Sequence, residues 1–95
     1  MGAFISKQPN GLYCRFSTVV DTITHYNMDE AGYIELCISR WGEEKGKREA
    51  LDVLNNYLYP FQEVLDRFVP NNDTVEKFKE LLKKMGYNKE FEYKY

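Results

Sequence analysis

The sequence predicts an α+β fold in which a β-hairpin at the start of the chain packs on the helices that follow it. Residues 3–8 and 12–19 are two extended runs on either side of a Pro-Asn-Gly turn at 9–11. Residues 29–85 then carry apolar side chains mostly at helical spacing. A lone hairpin is only marginally stable in water, and 95 residues are enough for one domain with a modest core. We therefore expect a single domain, residues 1–95, in which helices cover the hairpin.

The turn at residues 9–11 and the strand after it specify the hairpin. Proline fixes φ at the first corner, asparagine tolerates the second, and glycine takes the left-handed position before the next strand. One face of the second strand is mostly apolar and consists of Leu12, Cys14, Phe16 and Thr18. That face needs a helix against it. Residues 19–26 are rich in β-branched side chains, so the strand continues or bends there.

The longest predicted helix covers residues 29–58. Asn27 or Asp29 caps its start, and apolar residues recur at helical spacing on both sides of a polar middle stretch. Gly42 and Gly46 lie in that stretch and each weaken a helix by about 1 kcal/mol, so a break near Gly42 is the alternative. We expect both glycines to be tolerated on an exposed surface. The other interpretation is that they let a second backbone approach closely.

Two shorter helices are predicted at residues 60–68 and 74–85. Pro60 ends or kinks the long helix, and apolar residues at i, i+3, i+4 and i+7 follow it. One of the polar residues 72–73 is expected to cap the last helix. Gly86 is expected to stop it.

The C-terminal residues 90–95 alternate strictly between charged and aromatic side chains. Phe91, Tyr93 and Tyr95 would share one side of an extended segment. This alternation predicts a third strand that joins the hairpin and relieves the weakness of a two-stranded sheet. A frayed, charged terminus is the alternative, and the sequence leaves both open.

Composition excludes several classes of function. The net charge is −2 and the pI about 5.4, which argues against a dedicated nucleic-acid binder with a basic face. No apolar run is long enough to cross a bilayer. We expect no signal peptide before the hairpin. We therefore expect Cys14 and Cys37 to be reduced, buried thiols of a cytoplasmic protein.

Catalytic and metal-binding motifs are sparse. His25 is the only histidine, whereas a general base needs an oriented partner and a metal site needs more ligands. A Cys14 nucleophile with His25 as its base is the one catalytic pair that the sequence offers, but Cys14 lies on the apolar strand face, which favours a structural role. No phosphate-binding loop, zinc spacing or acid pair is present. We expect no enzyme activity, no cofactor and no metal.

Aromatic residues are abundant, with eight Tyr, six Phe and one Trp. Some of them must form the core of so small a domain, and the surplus favours a recognition patch for another protein. The candidate partner-binding residues are the aromatics near Pro60 and those of the tail with its lysines, namely Tyr57, Tyr59, Tyr87, Lys89, Phe91, Tyr93, Lys94 and Tyr95. The alternative is a nucleic-acid-binding protein, because aromatics beside lysines in the C-terminal third can stack single-stranded bases.

The N-terminal part of the chain carries a distinctive pattern. It reads Gly-Ala-Phe-Ile at residues 2–5 and Gln-Pro-Asn-Gly-Leu-Tyr-Cys-Arg-Phe-Ser-Thr-Val-Val-Asp at 8–21, then Asn-Met at 27–28 and Tyr-Ile-Glu at 33–35. This pattern resembles small uncharacterised proteins of phages and prophages of Firmicutes. A weaker echo follows at residues 54–58 and 69–72.

The resemblance implies a context more than a chemistry. It implies a mobile-element accessory protein in a bacterial cytoplasm, and it assigns no catalytic residues. Family members tend to have more Glu at the first helix start, where this chain has Ala31 and Gly32. Small phage proteins of this kind often bind host proteins, including inhibitors of CRISPR nucleases and of other defence systems. We therefore expect stoichiometric binding to a host protein such as a defence nuclease, with the nucleic-acid-binding function as the alternative.

Overall fold

The computed structural model describes residues 2–93, and its N-terminal third forms an antiparallel sheet. Strands β1 (Ala3–Lys7), β2 (Tyr13–Ser17) and β3 (Thr22–Met28) lie in the order β1-β2-β3. The helices are α1 (Glu30–Trp41), α2 (Glu43–Asn56), α3 (Phe61–Arg67) and α4 (Val75–Lys84). The α+β class and the N-terminal hairpin are therefore confirmed.

The hairpin strands are slightly shorter than predicted. Gly11 has φ 89°, as the turn requires. The second strand ends at Ser17 because the hydroxyl of Ser17 accepts a hydrogen bond from the Val19 amide at 3.2 Å and starts a turn. Asp21, at φ 58°, completes the reversal, and β3 then pairs with β2. The β-branched stretch after the hairpin thus bends and forms a new strand.

The predicted C-terminal strand is wrong over residues 90–93, which are not part of the sheet. Strand β3 takes the place beside β2, since a short turn closes that pairing at little entropic cost. The tail instead places its rings on the helices, with Phe91 at 5.0 Å from Phe78 between ring centroids. Strict alternation also suits a segment that packs one side on a core. Residues 94–95 lie outside the described part of the chain.

Helices cover both faces of the sheet, so alternate residues of β1 enter two different cores. Phe4 belongs to the first core, which α3 and α4 complete, and Ile5 belongs to the second core, which α1 and α2 complete. The buried members of the first core are Phe4, Cys14, Phe16, Ile23, Val64, Leu65, Phe68, Phe78, Leu81, Leu82 and Met85. The buried members of the second core are Ile5, Tyr33, Cys37 and Ala50.

The prediction of one long helix over residues 29–58 is wrong, and the alternative, a break near Gly42, is confirmed. Gly42 has φ 85°, and its amide donates to the Ile38 carbonyl at 2.9 Å to end α1. The expectation that Gly46 lies on an exposed surface is wrong. A β-carbon there would lie 2.5 Å from Ile38 Cα and 2.6 Å from the Cys37 carbonyl atoms, so Gly46 lets α1 and α2 pack backbone to backbone.

The predicted N-cap is confirmed for α1 and wrong for α4. Asp29 caps α1 by accepting a hydrogen bond from the Gly32 amide at 2.7 Å, whereas Asn27 lies in β3. The cap of α4 is Thr74 and not one of residues 72–73. Asp73 instead accepts a hydrogen bond from the Thr22 hydroxyl at 3.2 Å, which ties the loop before α4 to the sheet.

A polar lock joins the hairpin turn to the end of α4, and we define it as Gln8, Asn10 and Asn27. The Gln8 side-chain amide donates to both asparagine side chains at 2.8 Å, and its carbonyl accepts from the Asn27 backbone amide at 2.7 Å. Asn27 also donates to the Lys84 carbonyl at 3.2 Å. Gln8 is only 3% exposed, so these bonds satisfy a buried amide. Gly86, which stops α4 as predicted, lies against Asn10.

Candidate functional site

The most prominent concave feature of residues 2–93 is a cleft of about 710 Å³ that runs past the outer edge of β1. Residues 2–5 form its floor, α1 and α2 form one wall, and the segment around Tyr59 with Arg67 of α3 forms the other. The volume lies in the range of ligand-binding pockets. This cleft is therefore the candidate functional site.

Three large aromatic rings in the cleft are open to solvent. Trp41, Tyr57 and Tyr59 are 48%, 61% and 40% exposed, although rings of this size usually bury most of their area in a small domain. The breaks in the helices place them there. Trp41 is the last residue of α1, Tyr57 ends α2, and Tyr59 precedes the proline that starts α3.

Tyr59 is held in place against β1. Its amide donates to the Ile5 carbonyl at 2.9 Å, and it forms an isolated parallel bridge with Ser6. Its ring stacks on Phe4 at 4.6 Å between centroids. The guanidinium of Arg67 lies over both rings, 5.5 Å from the Phe4 centroid and 5.7 Å from that of Tyr59. One wall of the cleft is thus built from stacked rings that are anchored to β1 and covered by a guanidinium group.

Three of the four arginines of the chain line the cleft, namely Arg15 from β2, Arg40 from α1 and Arg67 from α3. Arg67 forms an ion pair with Glu63 at 3.2 Å. Arg15 donates to the Thr24 hydroxyl at 2.9 Å. Neither Arg15 nor Arg40 has an ion-pair partner among residues 2–93. Two carboxylates, Glu49 and Asp52, also line the cleft.

Arg15 and Arg40, which form no ion pair among residues 2–93, lie close enough for their charges to interact. Partial burial and then the neighbouring charge of Arg40 lower the pKa of Arg15. Partial burial, Arg15 and Arg40 lower the pKa of His25, which lies opposite Arg15 in the register of β2 and β3. Partial burial is the larger cause of both shifts, and the neighbouring guanidinium charges add to it. Arg15 and Arg40 are therefore free to bind carboxylates of a partner, although Glu49 and Asp52 line the same cleft.

The structure does not bring Cys14 and His25 together as a catalytic pair. Cys14 is fully buried in the first core, and burial raises the pKa of its thiol to about 12. His25 pairs with Arg15, the residue next to Cys14 in β2. Because successive residues of a strand point to opposite faces, His25 and Cys14 lie on opposite faces of the sheet. Cys37 is likewise a buried, free thiol. Burial and a hydrogen bond to Cys37 raise the pKa of the Tyr33 hydroxyl beneath the cleft.

The candidate binding residues named from the sequence separate into two places. Tyr57 and Tyr59 line the cleft. Tyr87, Lys89 and Phe91 line a second cavity of about 480 Å³ beside α4. Of the tail residues, Tyr93 is half-buried and Lys94 and Tyr95 lie outside the described residues.

The tail aromatics are largely committed to the first core. The ring of Phe91 lies 6.2 Å from that of Phe68, and the ring of Tyr93 lies 6.0 Å from it, both edge-on. Tyr87 lies 5.8 Å from Phe61. These rings stabilise the helices, which leaves less of their surface for a partner than the rings of the cleft offer.

Sequence reasoning missed the arginines of the cleft and Trp41. Arg15, Arg40 and Arg67 lie on three elements far apart along the chain, and the fold alone brings them together. The sequence held one signal for these arginines, because they lie outside the lysine-rich helical stretches. Charged residues within such stretches are usually solvent-exposed on the helix surface and have no binding role.

Within residues 2–93, no group of three or more His, Cys, Asp or Glu side chains is placed to hold a metal ion. No helix of that part of the chain is long and apolar enough to cross a membrane. Comparisons of the chain with protein-family models, with curated proteins and with solved structures find no match. Function is therefore inferred from the geometry of the cleft.

Proposed function

We propose that this chain acts by stoichiometric binding of another protein in the cleft. The observation that carries the proposal is the set of three exposed rings beside three arginines. Trp, Tyr and Arg are the residue types that most often carry the binding energy of protein interfaces. The resemblance of the N-terminal pattern to phage proteins suggests the class of partner, a bacterial defence component such as a CRISPR nuclease that the chain inhibits in the bacterial cytoplasm.

Preorganisation of the cleft supports this proposal. Tyr59 is held by its backbone bond to Ile5 and by stacking on Phe4, with the Arg67 guanidinium over both rings. A ring that is already ordered loses little conformational entropy when a partner covers it. Trp41 and Tyr57 add exposed apolar area at the two ends of α2.

The test is a titration of target-DNA cleavage by purified CRISPR nucleases from Firmicutes. Inhibition is expected to reach its end point at equal molar amounts of chain and nuclease. The double variant Trp41→Ala/Tyr57→Ala should weaken inhibition by at least about 30-fold, because truncated hot-spot residues cost about 2 kcal/mol or more. Tyr26→Ala is the matched control, since Tyr26 is 38% exposed but lies outside the cleft. Equal inhibition by the double variant and the control would exclude the cleft as the binding surface.

The alternative function, nucleic-acid binding by the C-terminal third, makes a different prediction. Lys79, Lys83 and Lys89 line the second cavity, but so do Glu90 and Glu92. Single-stranded DNA that binds with strong salt dependence, and that is lost on replacing those lysines with glutamine, would favour the alternative over the proposed function.

A further inference from the structure

The outer edge of β1 carries backbone groups that point away from the sheet. Phe4 and Ser6 stand opposite Phe16 and Cys14, and the Thr18 amide donates to the Gly2 carbonyl at 2.8 Å. In an antiparallel pair, the residues between such hydrogen-bonded positions direct their amides and carbonyls outwards. The bond from the Tyr59 amide to the Ile5 carbonyl shows this direction. The backbone amides and carbonyls of Ala3 and Ile5 therefore point towards the cleft.

Most of the outward backbone groups of Ala3 and Ile5 have no hydrogen-bond partner in the described part of the chain. Among residues 2–93, the bond from Tyr59 is the one that the outward groups of Ala3 and Ile5 make. The amide and carbonyl of Ala3 and the amide of Ile5 are left over, and residues 2–5 line the cleft. An open strand edge is a template on which another extended chain can pair. Tyr59 already extends the sheet by one parallel bridge at this edge.

From this edge and the charges beside it, we infer that the cleft takes up an extended acidic segment of the partner, which pairs with residues 3–5 as an added strand. The inference rests on the proposed function, because it names the part of the partner that the cleft binds. Backbone bonds to Ala3 and Ile5 supply register, and the walls of the cleft select side chains.

Charge decides the side chains of that segment. Residues of an added strand alternate between the two faces of the sheet. On one face they meet Arg15, which stands opposite Ile5 in the register, and Arg40, and neither arginine has a carboxylate partner among residues 2–93. Carboxylates at alternate positions would form charge-assisted, bidentate bonds with these guanidinium groups. On the other face they meet the rings of Phe4 and Tyr59, which suit apolar side chains.

A second copy of this chain is a poorer occupant. Pairing of two β1 edges would bring together two identical walls that carry both arginines and carboxylates, so a second copy offers Arg15 and Arg40 no excess of negative charge. Self-association through this edge is therefore an outcome that would contradict the inference.

The test uses NMR titration of the full chain, labelled with ¹⁵N, with a synthetic peptide Thr-Glu-Val-Glu-Val-Glu-Thr blocked at both ends. Binding should shift the Ala3 and Ile5 amide signals and slow their hydrogen exchange. A peptide with Lys in place of every Glu should not bind. A peptide that is N-methylated at alternate residues on its pairing edge should bind at least about tenfold more weakly, because it loses strand hydrogen bonds.

Protein variants test the charges. Arg15→Gln/Arg40→Gln should weaken binding of the acidic peptide at least about tenfold. Arg48→Gln is the matched control, since Arg48 is the one arginine outside the cleft, and it should leave affinity unchanged. Circular dichroism confirms that each variant is folded.

Several results would overturn the inference. They are no binding of the acidic peptide at millimolar concentration, equal binding of the acidic and basic peptides, no effect of N-methylation, and dimerisation through the Ala3 and Ile5 amides. The peptide experiment does not involve the nuclease. If the acidic peptide fails while inhibition still depends on Trp41 and Tyr57, the inference falls and the proposed function stands. If the peptide binds but no nuclease is inhibited, the proposed partner class falls.

Discussion

The two ends of β1 are built in opposite ways. At its C-terminal end, the polar lock of Gln8, Asn10 and Asn27 buries the Gln8 amide and gives the three side chains hydrogen-bond partners on the turn, on β3 or on α4. At its N-terminal end, the cleft leaves backbone groups without partners, and Arg15 and Arg40 without an ion pair among residues 2–93. Satisfied buried groups fix a fold, whereas unsatisfied ones at a surface are available to a ligand. The difference assigns stability to one end of the strand and recognition to the other.

The largest effect is expected from breaking the wall of the cleft at Gly46. A β-carbon there meets backbone atoms of α1 at 2.5–2.6 Å, and backbone cannot move aside as a flexible side chain can. Gly46→Ala should therefore lower the free energy of unfolding by about 3 kcal/mol, measured by urea denaturation.

Gly42→Ala is the control for this prediction. Gly42 has φ 85° but nothing within 4 Å of its absent β-carbon, so only backbone strain of about 1 kcal/mol is expected. A smaller loss for Gly46→Ala than for Gly42→Ala would show that α1 and α2 separate easily, and the cleft wall would then not be rigid.

The next effect tests the polar lock. Gln8→Ala removes a buried amide and leaves the Asn27 backbone amide without its acceptor, so the free energy of unfolding should fall by about 2 kcal/mol. Gln62→Ala removes an exposed bond to Asp66 and should change it by less than about 0.5 kcal/mol. Equal losses in the two variants, measured by thermal or urea unfolding, would remove the contrast between the ends of β1.

The contrast also marks what the sequence could predict. Signals that act over a few residues predicted the turn at Gly11 and the stop at Gly86 correctly. The cap at Asp29 was one of two candidates, and the break at Gly42 was only the alternative to one long helix. The third strand was not predicted correctly, because the alternation of residues 90–93 fits a strand and fits equally well a tail that packs its rings on a core. The chain's own short turn after β2 decided in favour of β3.

The site was predictable only in part, for a related reason. Tyr57 and Tyr59 are recognisable because they flank Pro60. The meeting of Arg15, Arg40 and Arg67 depends on α1 packing on one face of the sheet and α3 on the other side of its edge, which no local pattern encodes. Close packing at Gly46 was also hidden, since a glycine in a polar stretch looks the same whether exposed or in contact.

A third prediction concerns the stability of the cleft end. Arg15→Gln/Arg40→Gln removes two charges that repel each other and have no acidic partner within residues 2–93. Unfolding free energy should therefore stay within about 0.5 kcal/mol of the parent chain at low salt. A loss above about 1 kcal/mol in urea denaturation would mean that these arginines hold the fold together, and would contradict their assignment to recognition.

The smallest effect is expected at His25, whose pKa depends in part on the charges of Arg15 and Arg40. Its pKa lies below the ordinary value of 6.5 because of partial burial, then Arg15 and Arg40. The unfolded chain therefore binds more protons near that pH, so the contribution of His25 to stability is present above about pH 6.5 and is lost as the pH falls from there through the lower pKa of the folded chain. Arg40→Gln should raise the pKa of His25 part of the way back in an NMR titration, while burial and Arg15 still act on it. Arg48→Gln should leave the pKa of His25 unchanged. An unaltered His25 titration in Arg40→Gln would mean that the charge of Arg40 does not act on His25.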